Sequence, residues 1–547
     1  HLIAPNKSIE GREEYEKQLE NNEEGFDGAY VKDPIPGRYE WIYDLDLTSM
    51  YPNIIISLNI SPETKTCKVD NWDVEKYLSG ELQKIYISGN LYTNDEFKKL
   101  ISEQNLSVAS NGCLYKLPKN GKYGVIPSIL IKWFDERKEM RKLAKKYADE
   151  KNWELYEFYD QRQKTQKIML NSAYGTLGLQ TFRFYDKDNA SAVTLTGQDI
   201  IKATDKVVNL FYKNKLGKRF KLISKTGEIL YSYEYNLPKN RDEYSIEEVE
   251  HPDYVIYVDT DSVFASAVPL IEKEMPNIDK SNEQQMTEAI LKITSLVQKY
   301  VNDFYHVLAK TMFNLQTHRF DAKQEVIAKT GFWLVKKRYT QLVINKGGVV
   351  CDELEIKGID VVRTSFPARF RSYMHDFLLD VLNKKDQSII DSKILEFEKE
   401  LYTIPIFEIA KNTSVKFISL DKGKNYDPKN RSPFTFILGT PAQVKAGLSY
   451  NDILKHLKLD KKYQKILNGQ KIKWVYLMEN DYGIDAIAMK ADGTDPQQIL
   501  DFIDGYVDRK RMYTQELKSK LNSFYEVLNL PYPNLAIKNA SLLFAPL

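Results

Sequence analysis

The sequence predicts an α+β protein: an antiparallel sheet with helices packed on it, interrupted by a two-helix unit and followed by a mixed, mostly helical C-terminal part. Three observations point there. A chain of 547 residues exceeds what one core holds and implies three or four units. Short stretches of period-two alternation at 41–47 and 254–266 carry clustered carboxylates, as strands joined by tight turns do. Two stretches of helical periodicity, 129–150 and 155–173, follow each other closely enough for an antiparallel pair.

In chain order, residues 1–25 are polar and poor in period, with acidic residues gathered between Glu10 and Glu24, and are expected to form an arm. The missing initiator Met suggests a fragment or a processed chain. Strands are expected at 29–31 and 41–47, separated by the turn-rich Asp33-Pro34-Ile35-Pro36-Gly37. In the second strand, alternation puts Asp44 and Asp46 on one face. Pro52 permits a helix to start afresh, whereas 66–123 carries no clean period. After the helix pair come a helix at 192–213, an inserted hairpin at about 214–250, and two short strands at 254–266 meeting at Asp259-Thr260-Asp261. A long helix is expected at 284–312, strands at 330–337 and 339–344, and a mostly helical region from Pro367. Strands at 473–478 and 484–489 and one helix at 496–521 end the chain.

Composition excludes several classes. No apolar run reaches membrane-spanning length, and the first residues lack the basic and apolar regions of a signal peptide. Cys67, Cys113 and Cys351 form no CxxC pair, which argues against zinc and iron–sulfur sites and suits a reducing cytoplasm. There is no GxxxxGK[ST] loop. A net charge of +2 is no nucleic-acid signature. Its distribution, with basic clusters at 132–146, 336–338, 363–371, 455–473 and 509–511 around acidic centres, suits a protein that grips a polyanion; each cluster also suits a solvated helix face.

Three motifs carry the candidate chemistry: Asp46-Leu47-Thr48-Ser49-Met50-Tyr51-Pro52, Lys167-Ile168-Met169-Leu170-Asn171-Ser172-Ala173-Tyr174-Gly175, and Tyr257-Val258-Asp259-Thr260-Asp261-Ser262. Nucleotidyl transfer needs two hard cations held by carboxylate, phosphate and water oxygens. Asp46 and Asp261, with the carbonyl of Leu47, suit that task if their strands are neighbours, and Asp259 would tune the cluster. An Asp-Thr-Asp by itself is more often a turn. Lys167, Asn171 and Tyr174 share one helical stripe, and Arg137 and Arg141 another. Converging, they would hold a triphosphate, with Lys167 also placed to protonate departing pyrophosphate; apart, the arginines are a solvated face. Tyr51, fixed by Pro52, would pack under a nucleotide's sugar and clash with a 2′-hydroxyl. Tyr174-Gly175 would shape a base-pair pocket. Either tyrosine alone is more often core.

In this order the motifs resemble those of family B DNA polymerases. Lys336-Lys337-Arg338-Tyr339 resembles the family's Lys-x-Tyr element, and Gly124-Val125-Ile126-Pro127 its entry into the fingers. Asn59-Ile60-Ser61-Pro62-Glu63-Thr64 and Gly28-Ala29-Tyr30-Val31-Lys32 are similar to versions in T-even-type bacteriophage replicases. The resemblance implies a right-hand polymerase: a palm at 26–124 and 180–360 with an insertion at about 214–250, two-helix fingers at 125–179, and a thumb at 361–547. It implies a DNA-directed DNA polymerase using two Mg²⁺ ions, with Mn²⁺ an acceptable substitute. Asp46, Leu47 and Asp261 would hold the metals, with Asp259 and Lys337 assisting. Ser49, Met50, Tyr51, Arg137, Arg141, Lys167, Asn171 and Tyr174 would meet the nucleotide, and Gly175, Lys336, Lys337, Arg338 and Tyr339 the primer–template. Lys538-Asn539-Ala540-Ser541-Leu542-Leu543-Phe544 resembles a sliding-clamp-binding tail; a short apolar terminus can equally be a frayed end.

Departures from the pattern matter. No exonuclease carboxylate set precedes Asp46, so proofreading is expected to be absent, or carried by a companion chain in a split polymerase or by the rest of a longer one. The fingers are shorter than in the T-even phage enzymes, and Met50 and Asn53 replace the commoner Leu and Ser. The expected place of work is the cytoplasm, that of a host bacterium if the chain is phage-encoded. Two other classes stay open: another templated polymerase, RNA-making or reverse-transcribing, and an inactive polymerase-like subunit that only binds DNA or a clamp.

Overall fold

The structure, a computed structural model, describes residues 28–179, 181–416 and 432–534. The expected arm and the clamp-like tail lie outside the described residues. The chain divides into two compact units, one holding the chain up to 35, 40–329 and 343–352, the other 36–39, 330–342 and the chain from 353. The carboxylate-bearing strands, the inserted sheet and the sheet of the second unit are all paired antiparallel.

The first unit is organised on the part of strand Gly37–Leu47 from Glu40 onward, whose inward residues Tyr43, Leu45 and Leu47 are almost fully buried. It pairs with Ser262–Ser266, which forms a hairpin with Val255–Asp259, and at its end with Ala322–Lys323. The helices Lys187–Leu216 and Glu283–Phe313 share the core of these strands, burying Ile200, Val208, Ile290 and Val297 among others. Such faces remove several hundred Å² of apolar surface from water, at ~25 cal/mol per Å², and this burial sets the sheet's register.

The expected helix pair is present as Val125–Asp149 and Trp153–Leu177. Lys151 takes a left-handed conformation in the turn, and Asn152 caps the second helix by accepting from the Leu155 N–H. Tyr147 stacks on Tyr159 with centroids 5.6 Å apart, and Gln166 donates to Glu136 at 2.9 Å. The pair is anchored at its start. Asn59, left-handed at the end of helix Met50–Leu58, accepts the Gly124 N–H at 2.8 Å and donates to the Lys116 carbonyl at 2.7 Å. A Cβ on Gly124 would fall 2.8 Å from the Ser61 Cβ, so only glycine fits this crossing.

Three expectations are corrected, and one stretch without a clear period gains a structure. Residues 29–31 form no strand, only one bridge from Val31 to Asp259, continued by single hydrogen bonds from the Lys32 and Ile35 N–H groups to the Val258 and Ile256 carbonyls. The insertion is not a hairpin but a three-stranded sheet, with Arg219–Ser224 between Ile229–Tyr233 and Tyr244–Val249. The unparsed 66–123 stretch holds a small second core under Phe97, Ile101, Ile85 and Leu114. The final helix is interrupted, because Val507 bridges to Leu477 and the Asp508 N–H donates to the Tyr476 carbonyl; the Asp508 side chain then caps the new helix Arg509–Tyr513 by accepting the Arg511 N–H.

The second unit packs Phe370, Phe377, Trp474, Ile487, Leu521 and Phe524 around the sheet of Lys411–Ser414, Lys471–Tyr476 and Ala486–Lys490. Among the described residues no helix is long and apolar enough to cross a membrane.

Candidate active site

The antiparallel register decides where the two distant carboxylates go. Asp46 sits opposite Ser262, and the Leu47 N–H donates to the Asp261 carbonyl at 2.7 Å. Residues 215 positions apart are therefore neighbours, as antiparallel partners and their flanking residues must be. Asp261 occupies a two-residue hairpin turn, which requires a positive φ; Thr260 supplies it at 59° without being glycine. Ser49 is likewise left-handed, at φ 45°, where the strand gives way to helix Met50–Leu58. Non-glycine residues held in this region cost roughly 1–3 kcal/mol each and cluster at working sites.

The charges are crowded. Burial, then the Asp46 charge, then Asp259 and Glu325, push the Asp261 carboxyl up to about 7. Burial also raises Asp46, opposed by a 2.8 Å hydrogen bond from the Ser262 hydroxyl and by the Lys167 charge. The Thr260 hydroxyl donates to Asp259 at 3.1 Å. Arg137 donates to Gln163 at 3.3 Å and feels both Arg141 and Glu325. Lys167 and Arg137 thus reach the field of the carboxylates from two different helices. Arg141, Lys167, Asn171 and Gly175 are exposed, and Tyr174 is half-buried.

Tyr51 packs against Tyr174 at 4.6 Å between ring centroids. Burial, Tyr174 and the nearby Asp261 charge push its hydroxyl up to about 12. Met50 is buried beside it, and Ser49 precedes both at the helix start. Lys336 and Lys337 lie elsewhere, in the second unit, on the turn between Val326–Val335 and Arg338–Lys346; they and Arg338 are exposed. Tyr339 is buried there and stacks on Trp333 at 5.5 Å.

Two residues of the site carry no role that the sequence assigns. Asp44, 6% exposed, accepts the backbone N–H groups of Glu325 and Val326 at 2.9 and 2.7 Å, and burial pushes it up to about 7. It pins the segment that brings Glu325 to the cluster. Alternation with Asp46 was the available signal for Asp44. Nothing local marks Glu325, which arrives through pairing of Ala322–Lys323 and of the following strand Val326–Val335 with the first strand.

Could these residues hold a metal? Among the described residues no three or more His, Cys, Asp or Glu side chains converge in a ligating cluster. Two carboxylates and a backbone carbonyl, completed by phosphate and water oxygens, are nevertheless the donor set that Mg²⁺ favours.

The sequence model of DNA polymerase family B matches residues 1–416. The chain belongs to that family. Among its relatives are the DNA-directed DNA polymerases of Enterobacteria phage T4 and Escherichia phage RB69, 24% and 25% identical over 94% and 93% of this chain. DNA polymerase 1 of Pyrococcus abyssi is 26% identical over 65% of it and 32% of its own length. This family B chain spans 56% of the length of each of the two phage polymerases.

Proposed function

We propose that the chain is a DNA-directed DNA polymerase, adding deoxynucleotides to a primer 3′-hydroxyl under the direction of a template. The observation that carries this reading is the pairing of the first and third motifs, which gathers Asp46 and Asp261 into one buried field faced by Lys167 and Arg137. Membership of the family supports it.

In this reading Asp46, Asp261 and the Leu47 carbonyl hold two Mg²⁺ ions. Bound there, the ions supply neutralisation of charge on the attacking and leaving oxygens. Arg137, Arg141, Lys167 and Asn171 hold the triphosphate, with Ser49 and Met50 lining it, and Lys167 delivers a proton to the departing pyrophosphate. Tyr51 closes the space beside the sugar's 2′ position, while Tyr174 and Gly175 shape the room for the new base pair. Asp259 adjusts the charge of the cluster. The exposed Lys336, Lys337 and Arg338 hold DNA phosphates, on a turn supported by Tyr339. Catalysis is then positioning plus fixed electrostatics. The helix pair serves as fingers, the carboxylate sheet as palm and the region from about 361 as thumb, with the C-terminal tail offered to a sliding clamp.

Primer extension tests this directly. Asp46→Ala and Asp261→Ala are each expected to lower nucleotide addition on the order of a thousandfold or more, while binding of primer–template survives. Full activity in either variant refutes the assignment.

A further inference from the structure

Gly197 lies in the interior of the 30-residue helix Lys187–Leu216, where glycine costs roughly 1 kcal/mol against alanine. It is buried, and its place is not a turn or a cap. A Cβ there would fall 3.0 Å from the Met50 Cε, 3.1 Å from the Tyr51 Cε1 and 3.5 Å from the Ile54 Cδ1. Ile54 is at ordinary contact distance, and the Met50 tip is a flexible thioether that can swing aside. The Tyr51 ring has less freedom, because it already meets Tyr174 at 4.6 Å. One turn earlier on the same helix lies the buried Thr194, near enough to Tyr174 to oppose the rise that burial causes in its hydroxyl pKa. A single helix face therefore seats both aromatic rings, and the seat under Tyr51 is a missing side chain.

We propose that Gly197 is a positioning residue for nucleotide selection: by letting the helix approach closely, it sets the depth of the Tyr51 ring beside Asp261 and so the room for the incoming sugar. This rests on the reading of Tyr51 as the residue facing that sugar. A methyl group at 197 moves the ring by a few tenths of an ångström. Misplacement by 1 Å can cost a hundredfold, so the expected effect is roughly three- to tenfold.

The test is steady-state single-nucleotide incorporation by the full chain on primed DNA, with dNTP and with rNTP. Gly197→Ala is expected to raise KM for dNTP roughly three- to tenfold, to leave kcat within about twofold, and to alter the dNTP/rNTP ratio. Introduced into a Tyr51→Ala background, the same substitution is expected to add nothing to that ratio. A role in helix packing alone would lower Tm and act equally in both backgrounds. If Gly197→Ala does not fold, the Met50→Ala/Gly197→Ala pair is compared with Met50→Ala, since the Tyr51 contact persists when the Met50 contact is gone. Wild-type KM in Gly197→Ala, or an equal shift in the Tyr51→Ala background, overturns the proposal. Should Tyr51→Ala itself leave sugar discrimination unchanged, the underlying reading of Tyr51 falls as well; if only Gly197→Ala is silent, that reading stands and the role of Gly197 alone is refuted.

Discussion

Replacing Asp261 by asparagine should make the cation-free protein more stable at neutral pH while destroying its proposed activity. The carboxyl sits among Asp46, Asp259 and Glu325 and is raised from 3.8 to about 7. Between those values the unfolded chain loses its proton before the folded protein does, so rising pH favours unfolding until the folded group has ionised. At 1.36 kcal/mol per pH unit, the cost at pH 8 reaches up to ~4 kcal/mol. Asp46 and Asp261 raise each other, so part of it is shared, and roughly 2–4 kcal/mol is expected from Asp261→Asn. An unfolding entropy of about 2.1 cal/mol/K per residue over roughly 300 residues converts this to a Tm rise of about 3–6 °C. The assay is thermal unfolding in chelator from pH 4 to 8. The variant's advantage should vanish near pH 4, grow to pH 7 and level off. Added Mg²⁺ should narrow it by stabilising the wild type. An advantage independent of pH, or none at pH 8, refutes the charge-crowding argument.

Three further outcomes are expected. Tyr51→Ala should raise ribonucleotide incorporation relative to deoxynucleotide by roughly tenfold or more, read in single-nucleotide extension; an unchanged ratio removes its role as a gate. Asp44→Ala leaves two backbone N–H groups without their buried acceptor and should cost about 2–4 kcal/mol in urea unfolding, with Asp44→Asn, which keeps an accepting oxygen, recovering most of the loss. Equal losses in both variants would count against the backbone clamp. Gly358→Ala puts a Cβ 1.7 Å from the Lys337 carbonyl oxygen at φ +64°, so a loss of at least ~2 kcal/mol is expected in thermal unfolding; a change below about 0.5 kcal/mol would show that the turn relaxes freely.

Much of this protein is legible in its sequence because the informative signals are local. The period of 3.6 marks the helix pair, alternation marks the carboxylate strands, and the ordered motifs carry the family resemblance by themselves. Local signals fail where a contact comes from far along the chain. The strand at Tyr244–Val249 turns an expected hairpin into a sheet, and the pairing at Val507 breaks an expected helix. Glu325 reaches the cluster because the strands on either side of it pair with the first strand and Asp44 holds the backbone between them. The amino-acid order thus determined which groups are present and on which face of each element they lie, since backbone geometry repeats over a few residues. Only the tertiary structure decided that the carboxylates, cations and paired tyrosines share one field, because register and burial are properties of whole sheets and helices packed together.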